Sequence, residues 1–406
     1  MAQSRQLTGV ARDCPPRGRG GGWPAVAAVA GATFTVVTSE MLPVGLLTPI
    51  GEALEVTEGA AGLTLTVTGV VGAVSAPLLT PALGRLDRRL VLCVLMAVLA
   101  AGNLLAAWSP HFAVMVVARV LVGAGMGGVW AVAAGLAVRL VPGRSVGAAT
   151  SLVFGGISVA SVLGVPAGTY LGELAGWRAA FAAAAALALV VLAALAVSLP
   201  RLPADQEVRL GGMLRLAARP PVATGLGVVA LLVTGHFAAY TYVRPALERL
   251  FAADASVIGT LLLVYGVAGV LGNFGAGAGA SRSPRGVLAV ISLVLAATVC
   301  LMPLIGGSVI TAGVLLAVWG LAYGGVSVAT QTWLIAAAGE AREAMSALFA
   351  GVFNGAIAVG AFAGGLVADG AGVRAVMYAG GALAAGALAV VVLGRAPGGG
   401  RVRSAR

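Results

Sequence analysis

The sequence predicts an all-α polytopic membrane protein whose twelve transmembrane helices form two six-helix, pseudo-symmetric bundles. Three observations predict it. The 406 residues are 60% hydrophobic and only 10% charged, with a mean hydropathy of +1.02, whereas a soluble domain is about a quarter charged. Apolar runs of the length a bilayer requires, about 20 residues each, recur twelve times. The second six runs repeat features of the first six at one fixed offset.

The runs fall at roughly 24–49, 60–82, 90–109, 112–138, 146–171, 178–199, 221–244, 255–279, 286–305, 309–336, 344–367 and 372–394. An even number places both termini on one side, and charge decides which. All 25 basic residues are arginine. With the termini inside, twenty arginines lie in inside segments, and Arg178, Arg244, Arg249 and Arg374 lie outside. Arg119 lies within a span. The excess marks the terminal side as cytoplasmic. The same bias accounts for the net charge of +11 without nucleic acid. The arginines are scattered and lack interleaved aromatics, so no nucleic-acid partner is expected.

Residues 1–22, with Arg5, Arg12, Arg17 and Arg19, are expected to form a disordered cytoplasmic tail. The apolar stretch from Trp23 is too long for a signal peptide and reads as the first span. Residues 23–199 are assigned to the first bundle and 221–394 to the second. The polar segment 200–220, with Asp205 and Glu207, is read as a cytoplasmic linker, and 395–406 as a second tail. Cys14, Cys93 and Cys300 have no disulfide or metal spacing.

The halves match at an offset of 196 residues. Gly176-Trp-Arg178 pairs with Gly372-Val-Arg374, Gly155 with Gly351, Gly164 with Gly360, and Gly168 with Gly364. Thr38-Ser39-Glu40 pairs with Thr234-Gly235-His236. Six spans is an even number, so the halves share one orientation. Parallel repeats around an axis normal to the membrane are one transporter architecture.

Glu40 and Arg119 stand out because each sits in the middle of an apolar run, and an intramembrane charge points to function. Burial penalises the charged form of a carboxyl, which makes Glu40 a candidate proton carrier. Arg119, if near, would favour its ionised form. Pro43 and Pro49 are expected to bend the helix around Glu40. Polar and aromatic residues of other spans are candidates to line a midplane cavity: His236, Tyr240, Asn273, Gln331, Asn354 and Trp130, with Asn103, Tyr242, Tyr265, Tyr323, Trp319 and Trp333 beside them.

Three motifs carry a family resemblance. The loop after span two reads Thr80-Pro-Ala-Leu-Gly84-Arg85-Leu-Asp87-Arg88-Arg89. It resembles the signature loop of the major facilitator superfamily through Arg85, Arg88 and Arg89, although Gly84 stands where the family has an acid and Asp87 is the nearest substitute. Span four carries Arg119-Val-Leu-Val-Gly123-Ala-Gly125, similar to the Arg-x-x-x-Gly-x-Gly motif of that family. Span five carries Gly164-Val-Pro166-Ala-Gly168, which resembles the motif of its antiporter branch. The set, together with Gly235-His236 and Tyr240-Thr-Tyr242, resembles the twelve-span drug:proton antiporters of the sugar-efflux and chloramphenicol-resistance kind. Arg244 departs from it, since an acid is expected there.

The resemblance implies proton-coupled efflux of small amphipathic molecules, drugs, antibiotics or metabolites, by alternating access. Glu40 and Arg119 would couple protons. Arg85, Asp87, Arg88, Arg89, Gly164, Pro166 and Gly168 would control the change of shape. No cofactor is expected beyond the proton gradient. The expected partners are a small-molecule substrate and the lipid bilayer, with the chain a monomer in the inner (cytoplasmic) membrane. A single embedded acid favours neutral or singly cationic substrates. A sugar or nucleoside importer or facilitator of the same fold is the alternative. A membrane-embedded enzyme would need paired acids or a nucleophile set, and the chain has two histidines and one embedded acid.

Overall fold

The computed structural model describes residues 22–82, 86–202, 213–338 and 341–394. Both tails and most of the linker lie outside the described residues, as does Arg85. The described chain is helical: α1 (Trp23–Ala53), α2 (Glu58–Ala82), α3 (Arg88–Ala107), α4 (Phe112–Leu140), α5 (Val146–Ala175), α6 (Trp177–Ser198), α7 (Met213–Ala217), α8 (Pro220–Tyr240), α9 (Val243–Phe251), α10 (Ala255–Ala280), α11 (Pro284–Ile305), α12 (Val309–Gly324), α13 (Val326–Ala338) and α14 (Arg342–Leu393).

Eleven continuous helical stretches among the described residues are long and apolar enough to cross a membrane. The last one counts twice. A straight helix of 52 residues would run about 78 Å, far beyond a hydrocarbon core of about 30 Å. Gly372, at φ 79° and ψ 171°, breaks α14 into two spans. Only glycine adopts that backbone without strain. Its repeat partner Gly176, at φ 81° and ψ 156°, makes the same turn between α5 and α6. Two spans are less regular than the sequence implies. Span seven ends at Tyr240 and continues as the short amphipathic α9, and span ten is interrupted at Gly325 between α12 and α13.

The repeat seen in the sequence is also a repeat of contacts. In the first bundle, a Cβ on Gly164 would press on Thr38, and one on Gly168 would overlap Leu42. In the second, Gly360 sits against Thr234 and Gly364 against Ala238, each pair displaced by 196. Small residues on one face let the paired helices approach closely. The arginines follow the same rule. Arg89 donates to the Ala196 carbonyl at the end of α6, and Arg285 donates to the Val391 and Val392 carbonyls at the end of α14. Arg178 donates to Ser109 O and Arg374 to Pro303 O.

The bundles meet along two seams, α2 with α14 and α5 with α10. Both seams close from the face opposite the termini and part towards the terminal face. On α5 and α10, a Cβ on Gly259 would meet Tyr170, and one on Gly266 would meet Val162, but one on Gly155 would meet nothing within 4 Å. On α14, Gly365 meets Gly59 of α2, Ala358 meets Gly69, and Gly351 again meets nothing. These positions are spaced by seven or so residues and share a helix face. The molecule is therefore open towards the terminal face and closed on the far one.

This packing separates glycines of like sequence. Gly168→Leu is expected to overpack the α1–α5 contact and lower stability by about 1–3 kcal/mol. Gly155→Leu faces open space and should stay within about 0.5 kcal/mol of the parent. Thermal unfolding of the purified chain in detergent checks the difference, and equal losses at both positions would contradict the assigned contact.

Candidate functional site

Helix α1 is the element on which the site is built. Pro43 and Pro49 lie inside it, and each lacks the N–H that would bond to the carbonyl four residues earlier. Ser39 O and Gly45 O are therefore left without helical donors. Arg119 of α4, fully buried, meets the first gap. Its Nη1 donates to Ser39 O at 3.0 Å, its Nη2 to Glu40 O at 3.1 Å, and its Nε to Thr64 O of α2 at 2.9 Å. The guanidinium thus ties three helices together through their backbones. Its one hydrogen bond to Glu40 runs to the main chain and not to the carboxyl.

The Glu40 side chain is buried, and its Oε1 has no hydrogen-bond partner. Two other buried atoms are also unpaired, one facing α5 and one on α3. Thr38 Oγ1 has no partner. Asn103 gives its amide to Ser39 Oγ at 3.0 Å and to Leu99 O at 3.0 Å, while its own oxygen is unpaired. Buried polar atoms are nearly always paired, so the unpaired oxygen of Glu40 is a candidate point for an occupant or a proton. Glu40 sits at the depth of Pro166 on α5, about one helical turn beyond the point where the seams part.

The second bundle faces this region with an aromatic cluster. His236, the repeat partner of Glu40, stacks on Tyr323 with ring centroids 3.3 Å apart and on Tyr240 at 5.0 Å. Tyr240 in turn stacks on Tyr265 at 4.7 Å. Trp319 Nε1 donates to His236 Nδ1 at 3.0 Å, and Tyr265 OH lies 3.4 Å from Nε2. With Nδ1 accepting, the ring is neutral and carries its proton on Nε2. The Tyr323 hydroxyl has no partner and lies within electrostatic reach of the Glu40 carboxyl.

The structure therefore brings Glu40, Arg119, His236 and Tyr240 into one region, with Tyr265, Trp319 and Tyr323. Asn273 and Asn354 lie elsewhere, on the seam faces that diverge towards the terminal side. Asn354 donates to Ala350 O of its own helix. Gln331 is exposed on α13, and Trp130 packs partly buried against the core of the first bundle. Pro166 frees the Val162 carbonyl at the seam position where Gly266 approaches. Asp87 caps α3 by accepting from Arg89 N at 2.9 Å and also holds Leu202 N at 3.2 Å, and Arg88 N donates to Leu202 O at 3.0 Å. These contacts pin the loop to the end of the first bundle.

The structure corrects the placement of one residue that the sequence reading had singled out. Arg244 was expected in an outside loop, yet it is buried in α9 against α1 and α5. The signal was present, since Pro49 leaves Gly45 O in need of a donor, but nothing in the sequence says which arginine reaches it.

A family model described as the Major Facilitator Superfamily matches residues 29–338. The chain is 33% identical over 369 residues to purine ribonucleoside efflux pump NepI of Salmonella paratyphi B (strain ATCC BAA-1250 / SPB7), covering 91% of each chain. The corresponding pump of Salmonella enteritidis PT4 (strain P125109) shows the same identity and coverage. Among solved structures, a bacterial homolog to the human lysosomal transporter Spinster superposes with a TM-score of 0.71 at 15% identity, over 91% of this chain and 95% of that one.

The backbone role of Arg119 has a measurable consequence. Arg119→Met would strand Ser39 O, the carbonyl that Pro43 deprives of its helical donor, at about 1–3 kcal/mol for a buried group left unpaired. Restoring an N–H with Pro43→Ala is expected to recover part of that loss. Thermal melts of the two single variants and the double variant check it, and strict additivity would separate Arg119 from the proline break.

Proposed function

The chain belongs to the Major Facilitator Superfamily and is a multi-pass membrane transporter rather than an enzyme, and from this premise we propose that it exports small neutral or singly cationic amphipathic molecules in exchange for protons. One observation carries the reading: a buried carboxyl at Glu40, with an unpartnered oxygen, about one helical turn beyond the depth at which the seams part. A carboxyl so placed can hold either a proton or a substrate donor, and each occupant displaces the other. Repacking of the two seams would present Glu40 alternately to each face. The arginine excess supports placing the terminal face in the cytoplasm, and the bacterial relatives support an inner-membrane location.

The substrate class follows from two supports. The relatives are named as purine ribonucleoside efflux pumps, which draws the reading from drugs towards nucleosides. The aromatic cluster of His236, Tyr240, Tyr265 and Tyr323, in which Tyr323 is half-buried, supplies rings on which a flat heteroaromatic solute would stack once the cluster opens. Asn273 and Asn354 lie on the faces that part, along the route from the terminal side.

Everted membrane vesicles with an acidic lumen test the proposal. The parent is expected to accumulate labelled adenosine against its gradient and to discharge the pH difference as it does so. Glu40→Gln should abolish accumulation while leaving adenosine exchange across the membrane measurable, and Glu40→Asp should keep partial activity. Full accumulation by Glu40→Gln would refute proton coupling through this residue. Accumulation of chloramphenicol but not adenosine would return the substrate class to drugs.

A further inference from the structure

The two prolines of α1 leave two free carbonyls, and they are satisfied in different ways. Ser39 O is held by Arg119, from within the same bundle. Gly45 O is held by Arg244, from the other bundle, whose Nη1 donates to it at 2.6 Å. Arg244 also pairs through Nη2 with Glu173 of α5 at 3.0 Å and through Nε with Glu248 of its own helix at 2.8 Å. Glu248 accepts in turn from Thr48 Oγ1 of α1 at 2.8 Å. The Arg244 side chain is only 6% exposed.

Other cross-bundle contacts on the far face differ in kind. The Arg249–Glu58 pair, at 2.6 Å, has its arginine 56% exposed, and exposed pairs contribute little. Asp369 accepts from Thr57 Oγ1 and from Gly59 N at the rim. Among the described residues, Arg244 alone combines deep burial with bonds to both a freed carbonyl and a carboxylate of the opposite bundle.

We propose that Arg244 is a positioning residue for transport. It clasps the segment of α1 broken at Pro49 to the second bundle while the far face is closed, and it releases Gly45 and Glu173 when that face opens. The arrangement suits a reversible clasp. Glu248 lies on the same helix as Arg244, so the guanidinium keeps one carboxylate when the other partners leave. Gly45 O, two helical turns from Ser39 O, becomes an uncapped carbonyl at the mouth that has opened to water. The clasp rests on the two-shape reading given above and adds the residue pair, Pro49 with Arg244, that sets the balance between the shapes.

The test uses the full chain in nanodiscs, with Cys14, Cys93 and Cys300 replaced by alanine. Spin labels are placed at Glu52→Cys and Asp254→Cys, exposed positions on the far-face rims of the two bundles. Distance distributions report the fraction with the far face open. Arg244→Gln is expected to raise that fraction at least fivefold and to slow adenosine turnover more than it weakens adenosine binding. Arg244→Lys, which keeps the charge but not the fork, should restore the closed fraction only in part. In the Pro49→Ala background Gly45 O regains a helical donor, so Arg244→Gln should shift the fraction less than half as far on a logarithmic scale. An equal shift in both backgrounds overturns the link to Pro49. No shift with Arg244→Gln, while the parent distances still respond to adenosine and to pH, overturns the clasp. Distances that respond to nothing in any variant overturn the two-shape reading beneath it.

Discussion

The structure depends on how a membrane helix survives the loss of its own hydrogen bonds. In hydrocarbon each unpaired backbone group costs several kcal/mol, and α1 is interrupted twice, at Pro43 and Pro49. The donors that repair it are arginines, which are themselves costly to bury. The two problems cancel. A guanidinium offers five N–H donors in a fixed plane, and Arg119 spends three contacts on carbonyls of α1 and α2. Hydrogen bonds to a charged donor are stronger than neutral ones. The result fixes α1 beside α2 and α4 at the depth of Glu40, while the carboxyl of Glu40 stays free for chemistry.

Symmetry supplies the frame and asymmetry supplies the function. Helix contacts through Gly164 and Gly168 recur through Gly360 and Gly364, the turn at Gly176 recurs at Gly372, and the arginine staple at Arg89 recurs at Arg285. Two copies of one bundle can exchange shapes around a shared axis. At Glu40 and His236 the copies diverge. The first bundle carries a carboxyl with an open oxygen. The second carries an imidazole whose Nδ1 is occupied by Trp319 and whose faces are covered by tyrosines. One half therefore carries a buried carboxyl at this position, and the other an imidazole enclosed by aromatic rings.

The two faces of the molecule are held by different chemistry. At the terminal face each bundle is stapled to itself, by Arg89 on α6 and Arg285 on α14, and the seams between bundles part. At the far face the bundles are joined to each other, by polar contacts around Arg244, Glu248 and Asp369. Polar bonds near an aqueous mouth can be exchanged for bonds to water at small net change, which suits the clasp proposed for Arg244.

Local chemistry made much of this legible before any fold was known. Hydropathy marked the spans, arginine placement marked their alternation, and the 196-residue offset marked two like halves, because burial in lipid and helix packing act on composition and period. Gly164 and Gly168 could be assigned to a close contact since four-residue spacing puts them on one face. Pro43 and Pro49 were legible as irregular points of the first span for the same local reason. What spacing cannot give is the partner across space. That Ser39 O meets Arg119 and Gly45 O meets Arg244, that His236 is enclosed by Trp319 and Tyr323 while Gln331 is left exposed, and that the seams part on one side only, all follow from how helices distant in sequence are seated against one another. Such contacts depend on tertiary geometry at the scale of a hydrogen bond, and a linear pattern carries no record of it.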